Sequence, residues 1–69
     1  MLIKGQDCIA VFDLSTTALR ERHGEGGSWI DGNGRPVAHF KEQTRAKEVM
    51  GEIWEAAKKG AAFYELPGA

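Results

Sequence analysis

The stretch GEGGSWIDGNGRP, residues 24–36, decides the fold because five of its thirteen residues are glycine. A phosphate-binding loop needs its glycines joined directly to the N-terminus of a helix. Here a strand pattern, RPVAHF at residues 35–40, separates the glycines from the next helix pattern. Asn33-Gly34 is instead a strong hairpin signal, because both residue types accept positive φ. The stretch therefore predicts two hairpin turns around a short strand at 28–31; an anion-binding nest of backbone N–H groups in one turn stays open as the alternative.

Three segments before this stretch have the periodicity of strands: residues 1–4, 8–15 and 16–22. The segment CIAVFDLS, residues 8–15, is apolar on both faces over its first half, which predicts a strand buried on both sides, in a sheet or at a subunit contact. In TTALRER, residues 16–22, alternation places Arg20 and Arg22 on the wetter face of a half-exposed strand.

After Glu42 the apolar period changes from two to that of a helix, with Ala46, Val49, Ile53 and Ala57 on one stripe. The sequence Lys58-Lys59-Gly60 places cations and a glycine where a helix ends. AAFYEL, residues 61–66, has the pattern of a final strand. These patterns predict one α+β domain over residues 1–69, in the order β-β-β-β-α-β, with one amphipathic helix packed on one face of a small antiparallel sheet.

Chain length predicts that this domain works as a homo-oligomer. A chain of 69 residues buries only about 60% of its unfolded surface, so its core is thin. Its single cysteine, Cys8, forms no internal disulfide and suits a reducing compartment. One helix covers only one face of a sheet, so apolar side chains on the other face are expected to meet a second subunit.

Charge and hydropathy narrow the classes of partner. The net charge of −1 disfavours direct nucleic-acid binding, which normally needs a basic domain. No apolar run approaches the length of a membrane span, and the start MLIKGQD lacks the apolar core of a signal peptide. The sequence therefore predicts a cytoplasmic protein without a membrane partner.

Catalytic and metal-binding patterns are missing from the sequence. Cys8, His23 and His39 have neither zinc-ligand spacing nor local support for a Cys–His nucleophilic pair, and the carboxylates have no acid/base spacing. We therefore expect no metal, no cofactor and no enzyme activity. Whether Cys8 is functional or simply buried stays open.

A possible ligand site involves three arginines and a tryptophan. If both hairpins form, Arg20, Arg22 and Arg35 could come together near Trp29, as a basic patch with an aromatic platform for a base and phosphates. Tyr64 is the second aromatic residue that could stack on a base. The alternative is a solvated strand face on which Trp29 packs against another subunit.

Three short motifs resemble a group of short uncharacterised proteins from phages and prophages of Gram-positive bacteria. The motifs are IKGQD near the start, RAKEVMGEIWEA in the helix and YELP at the end. The middle, residues 16–40, departs from that group's pattern, and Glu42 stands where the group has a helix-capping serine. The resemblance implies a small β-rich protein with one helix, of mobile-element origin, and it implies no particular activity. The matching residues are Ile3, Lys4, Gln6, Asp7, Arg45, Ala46, Lys47, Glu48, Val49, Glu52, Ile53, Tyr64, Glu65 and Pro67.

Two functional hypotheses follow from the residues and the resemblance. The first is a non-catalytic, homo-oligomeric binding protein that sequesters a nucleotide-like signalling ligand of host defence between subunits. In it, the arginines hold phosphates, and Trp29 or Tyr64 stacks on a base. The second is an adaptor or inhibitor that binds a host protein through an edge strand or an apolar sheet face.

Overall fold

Over residues 1–6 and 11–68, which the computed structural model describes, the chain forms six strands and one helix. The α+β class expected from the sequence is confirmed. Five strands precede the helix, one at each of the five strand segments expected from the sequence, whereas the expected order β-β-β-β-α-β counts only four of them. The elements are β1 (Leu2–Lys4), β2 (Val11–Asp13), β3 (Leu19–Gly24), β4 (Gly27–Gly32), β5 (Arg35–Phe40), α1 (Gln43–Lys58) and β6 (Phe63–Glu65).

The strands form two sheets, so the expectation of a single antiparallel sheet was wrong. The hairpin sheet has the order β3-β4-β5 and is antiparallel throughout. The terminal sheet has the order β2-β1-β6; in it β1 pairs antiparallel with β2 and parallel with β6. The parallel pair joins the two ends of the chain, and alternation within one short segment carries no information about so distant a partner.

The glycine-rich stretch forms the two predicted hairpin turns. Asn33 and Gly34 have φ of 51° and 85° between β4 and β5, and positive φ at both central residues defines a type I′ turn. The Asn33 side chain also accepts a hydrogen bond from Ala18 N at 2.9 Å and donates one to Thr16 O at 3.3 Å. The turn is thus tied to the segment that leads into β3.

The outer edge of β5 is covered by Gln6. A shift in register between Ile30 and Asp31 leaves Val37 as the extra residue of a β-bulge. The Gln6 backbone N–H donates to Val37 O at 2.8 Å, and its side-chain oxygen accepts from His39 N at 2.6 Å. At Val37 and His39 this edge therefore has one carbonyl and one N–H paired, which makes that part of it less available to another chain.

The expected strand at 8–15 is interrupted by a single turn of 3₁₀-helix at Leu14–Thr16. Asp13 starts this turn, because its Oδ1 accepts hydrogen bonds from Ser15 N and Ser15 Oγ, both at 3.0 Å. The same bonds hold the pKa of Asp13 below its ordinary value. Of the expected segment, Val11–Asp13 is a strand, whereas the double-sided burial expected around Cys8 lies outside the described residues.

Helix α1 buries the stripe that the sequence predicts. Ala46, Val49 and Ile53 are its buried residues. The helix ends in a Schellman motif, as Lys58-Lys59-Gly60 indicates: Gly60 has φ of 77°, and the N–H groups of Gly60 and Ala61 donate back to carbonyls of the last turn. The stripe packs on one face of the hairpin sheet, and the core it shares consists of Ile3, Ile30, Ala38, Phe40, Ala46, Val49, Ile53 and Leu66.

Candidate functional site

The two faces of the hairpin sheet have opposite characters. The inner face, toward α1, carries Ile30 and its cross-strand partner Ala38, both buried. The outer face carries Trp29, which lies in register between Arg22 on β3 and His39 on β5. We call this outer surface the Arg–Trp face and define it by Arg20, Arg22, Trp29, Asp31 and His39.

Arg22 binds two neighbours on the Arg–Trp face. Its guanidinium carbon lies 4.5 Å from the ring centroid of Trp29, within the range of a cation–π contact. Its Nε and Nη2 donate to the two carboxylate oxygens of Asp31 at 2.8 and 3.3 Å, which raises the pKa of Arg22. Asp31 is only 8% exposed, so the pair satisfies a buried charge.

His39 occupies the other side of the tryptophan. The ring centroids of His39 and Trp29 are 4.9 Å apart, with the planes tilted by 45°. His39 Nε2 lies 2.7 Å from the carbonyl oxygen of Gly26, and since a carbonyl only accepts, Nε2 carries the proton. Trp29 is therefore held between a cation and an imidazole, and its contacts within the chain stabilise the sheet.

Arg20 is the cation on this face that lacks a carboxylate. Within the described residues, no Asp or Glu oxygen lies within 4 Å of it, although Asp31 is its cross-strand neighbour. At the β3 edge of the hairpin sheet, Arg20 lines a depression of about 580 Å³ together with Glu21, Arg22, Asp31 and the Asn33-Gly34 turn. Arg20 is therefore the residue of the predicted basic patch whose positive charge is available to a ligand.

The other two predicted ligand residues lie elsewhere. Arg35 is in register with Gly32 and lines a separate depression of about 330 Å³ with Phe12 and Thr17. Tyr64 is on β6 of the terminal sheet, where its O–H donates to Glu52 Oε1 at 3.0 Å. Burial, and then the hydrogen bond to Glu52, raise the pKa of Tyr64 to about 12. The structure brings Arg20, Arg22 and Trp29 together, and it does not add Arg35 or Tyr64 to them.

The outer side of the terminal sheet carries a pair of apolar residues. From the sequence, Phe63 was among the apolar residues of which some were expected to lie away from the helix, and Leu2 was not singled out. Leu2 and Phe63 are directly in register on β1 and β6, and they are 46% and 52% exposed. The next pair on this side, Lys4 and Glu65, forms an ion pair at 3.5 Å. We call this surface the Leu–Phe face. Alternation could have revealed it, because Ile3 between Leu2 and Lys4 is fully buried.

The outer side of α1 carries an exposed tryptophan among glutamates. Trp54 is 67% exposed and lines an open depression of about 850 Å³. Gly51 lies one turn before it, where a Cβ would have nothing within 4 Å, although glycine costs a helix about 1 kcal/mol relative to alanine. We call this surface the Trp–Glu face and define it by Glu48, Gly51, Glu52, Trp54 and Glu55.

The motifs behind the phage-type resemblance meet in space and hold the ends of the chain together. Gln6 Nε2 donates to Pro67 O at 2.9 Å, so the first motif is bonded to the last. Tyr64 of the last motif bonds Glu52 of the helix motif, and Arg45 of that motif contacts Glu48 and Glu52 at 3.3 and 3.4 Å. In this structure the motif residues stabilise the fold.

Within the described residues, neither a metal site nor a membrane-spanning helix indicates what these surfaces do. The described residues hold no group of three or more His, Cys, Asp or Glu side chains arranged to bind a metal ion. The one helix of that part of the chain is too short and too polar to cross a membrane. Comparisons with models of protein families, with curated proteins and with solved structures find no match to this chain.

Proposed function

We propose that this chain is a small non-catalytic binding protein that acts through protein–protein contacts, with the Leu–Phe face as the surface that meets its partner. The observation that carries the proposal is the in-register pair of exposed apolar residues, Leu2 and Phe63, on an open sheet face. Exposed apolar patches on small soluble domains commonly mark interaction sites.

The construction of the terminal sheet supports this use. Its inner side carries Ile3 and Tyr64, which pack toward the core, so these two side chains are not available to a partner. Strand geometry places Leu2 and Phe63 side by side, and the ion pair Lys4–Glu65 borders them. An apolar centre beside a charged border is the usual anatomy of a protein–protein interface.

The polar groups of the Arg–Trp face are held in fixed positions. The Asp31 carboxylate accepts two hydrogen bonds from Arg22, and His39 Nε2 is bonded to a backbone carbonyl. Side chains that are already fixed lose little conformational entropy on binding, so this face suits recognition of a partner or ligand.

The test replaces Phe63 with a photoreactive phenylalanine analogue and irradiates the protein in a bacterial lysate. We expect one dominant crosslinked partner, whose binding is lost in Phe63→Ser and kept in Trp54→Ser. Both changes are at exposed aromatic residues, so circular dichroism and thermal unfolding should show both variants folded. Equal capture by Phe63→Ser and the unmodified chain, or no crosslink at position 63, would contradict the proposal.

A second candidate is sequestration of a phosphate-bearing, nucleotide-like ligand, in line with the phage-type resemblance. It is favoured by Arg20, whose charge is unmatched and which lies beside Arg22 in the 580 Å³ depression. A ligand at 100 times its Kd adds about 2.7 kcal/mol to the free energy of unfolding. We expect a panel of mono-, di- and cyclic nucleotides to raise the Tm, and Arg20→Gln to abolish the rise. Arg35→Gln, in the separate depression, is the matched control, and an absence of any shift across the panel refutes this candidate.

A further inference from the structure

We infer that copies of this chain assemble head to tail, with the Trp–Glu face of one copy seated on the Arg–Trp face of the next. The contact that we assign is between Arg20 of one copy and Trp54 and Glu55 of its neighbour. This goes beyond the proposed binding function, because it uses surfaces other than the Leu–Phe face.

The two faces point in opposite directions from one molecule. The buried stripe of α1 packs on the inner face of the hairpin sheet, so the opposite side of the helix, with Trp54 and Gly51, points away from that sheet. The Arg–Trp face is the other side of the same sheet. Two complementary surfaces on opposite sides of a molecule give a heterologous, head-to-tail contact.

The charges of the two faces are complementary. On the Arg–Trp face, Arg20 is unmatched and the side chain of Arg22 is still 48% exposed beyond its contact with Asp31. On the Trp–Glu face, Glu48 and Glu52 share the cation of Arg45. Lys59 lines the same depression, but within the described residues no Lys, Arg or His nitrogen lies within 4 Å of Glu55, so the three carboxylates outnumber the two nearby cations. The chain's net charge is only −1, so the two charges are separated between faces rather than in excess. Such separation favours one mutual orientation over the others.

The aromatic residues supply the apolar part of the contact. Within one copy, Arg22 already lies over Trp29, so that ring has a cation on it. Trp54 is more exposed than any other large apolar side chain of the described residues, and no arginine covers it. The open space at Gly51 leaves room for an incoming side chain beside the indole. Arg20 of a second copy can therefore repeat between molecules the arginine–tryptophan contact seen within one.

The second copy fits these observations better than an unrelated basic protein, because one chain supplies both halves of the contact. Each association uses one Arg–Trp face and one Trp–Glu face, and leaves the opposite face of each end copy free. The assembly therefore grows into a closed ring or an open chain.

The experiment uses two charge reversals, Arg20→Glu and Glu55→Arg, and measures mass by sedimentation and light scattering. The unmodified chain should be larger than a monomer, and its mass should fall as salt is raised. Each variant alone should be monomeric at the same concentration, with the association constant lowered about tenfold or more. Both positions are exposed, so both variants should keep the circular dichroism spectrum and cooperative unfolding of the parent.

Mixing the two variants provides the decisive result. Arg20→Glu keeps an intact Trp–Glu face, and Glu55→Arg keeps an intact Arg–Trp face, so an equimolar mixture can form the parental contact. The two substituted faces also carry opposite charges, because the charges are exchanged between them, so the mixture should reach at least the mass of a heterodimer. Arg35→Glu makes the same change of charge away from both faces and should assemble like the parent. Phe63→Ser should also assemble, which separates this inference from the proposed partner-binding surface.

Four outcomes overturn the inference. They are a monomeric parent at high protein concentration, assembly of either charge reversal alone to the parental mass, a mixture of the variants that stays monomeric, and loss of assembly in Phe63→Ser while both charge reversals retain it.

Discussion

The two sheets of this molecule have the same number of strands in the described part of the chain, yet they are built in different ways. The hairpin sheet is made from one continuous stretch, with six-residue strands and two tight turns. The terminal sheet has three-residue strands taken from both ends of the chain. The hairpin sheet is specified by the residues of its two turns. The terminal sheet forms because tertiary contacts bring strands from distant parts of the chain together.

The stabilising contacts differ accordingly. Backbone ladders and the Arg22–Trp29–His39 row run across the hairpin sheet. The terminal sheet depends on core burial of Ile3 and on the bond from Gln6 to Pro67. Three-residue strands are too short to be stable without such support.

The largest expected effect comes from breaking the terminal sheet with Ile3→Ala. Ile3 is fully buried, so the change removes packed atoms and leaves a cavity, and we expect the free energy of unfolding to fall by about 3 kcal/mol. Leu2→Ala, at the exposed neighbour, should cost less than about 1 kcal/mol. Urea denaturation measures both; similar losses for the two variants would show that Ile3 does not anchor this sheet.

A backbone substitution tests the hairpin sheet. Gly27 has φ of 128°, and a Cβ there would lie 2.5 Å from Phe40 O and 2.7 Å from His39 Nε2. We expect Gly27→Ala to cost about 2 kcal/mol, because both the backbone angle and the space exclude a side chain. Gly24→Ala is the control, since nothing lies within 4 Å of its Cβ position. Thermal unfolding should show a lower Tm for Gly27→Ala and an unchanged Tm for Gly24→Ala. An unchanged Tm for Gly27→Ala would contradict this account of Gly27.

A smaller effect should separate the two arginines of the Arg–Trp face. Arg22→Ala removes a cation–π contact and leaves Asp31, which is only 8% exposed, without its partner, so we expect it to lower the free energy of unfolding more than Arg20→Ala does. Arg20→Ala should change stability by less than about 0.5 kcal/mol in the monomer. The comparison is made in dilute solution by urea denaturation, and equal costs would refute the distinct roles that we assign.

A contribution to stability that changes only in alkaline solution comes from the junction between the terminal sheet and α1. Tyr64 is the only tyrosine of the chain, so tyrosinate absorbance should titrate with a midpoint near 12 in the native protein and about 10 in urea. Because the folded pKa is raised, this contribution to stability is complete below pH 10 and is lost as the pH rises through 12.

Variants of this junction separate the two causes of the shift. Glu52→Gln should lower the native midpoint while leaving it above 10, because burial is the larger cause. Tyr64→Phe should unfold without the pH dependence that the titration of Tyr64 adds between pH 10 and 12. A native midpoint near 10 would contradict the buried, hydrogen-bonded position of this side chain.

The sequence was sufficient where partners are close along the chain. Asn33-Gly34 predicted its turn because few residue pairs accept positive φ, and Ala46, Val49 and Ile53 predicted the buried side of α1 by spacing alone. The ending at Gly60 followed from the same local chemistry. The Asp13–Ser15 turn was missed, although an aspartate followed by serine two residues on is itself a local turn pattern.

The sequence was insufficient where partners are distant. Nothing local indicates that Lys4 meets Glu65 or that Gln6 reaches Pro67, because these contacts depend on the whole fold. The predicted ligand residues illustrate the same limit: strand alternation correctly paired Arg20 with Arg22, but the placement of Tyr64 against Glu52 depends on how β6 returns to α1.

The parallel pairing of β1 with β6 has a consequence for how the protein is made. Ribosomes add about 5 to 20 residues per second, so β1 is synthesised roughly 3 to 12 s before its neighbour β6 emerges. During that interval all residues of the hairpins and of the helix have been synthesised, whereas one edge of β1 has no strand to pair with. Closure of the terminal sheet therefore has to follow the synthesis of β6.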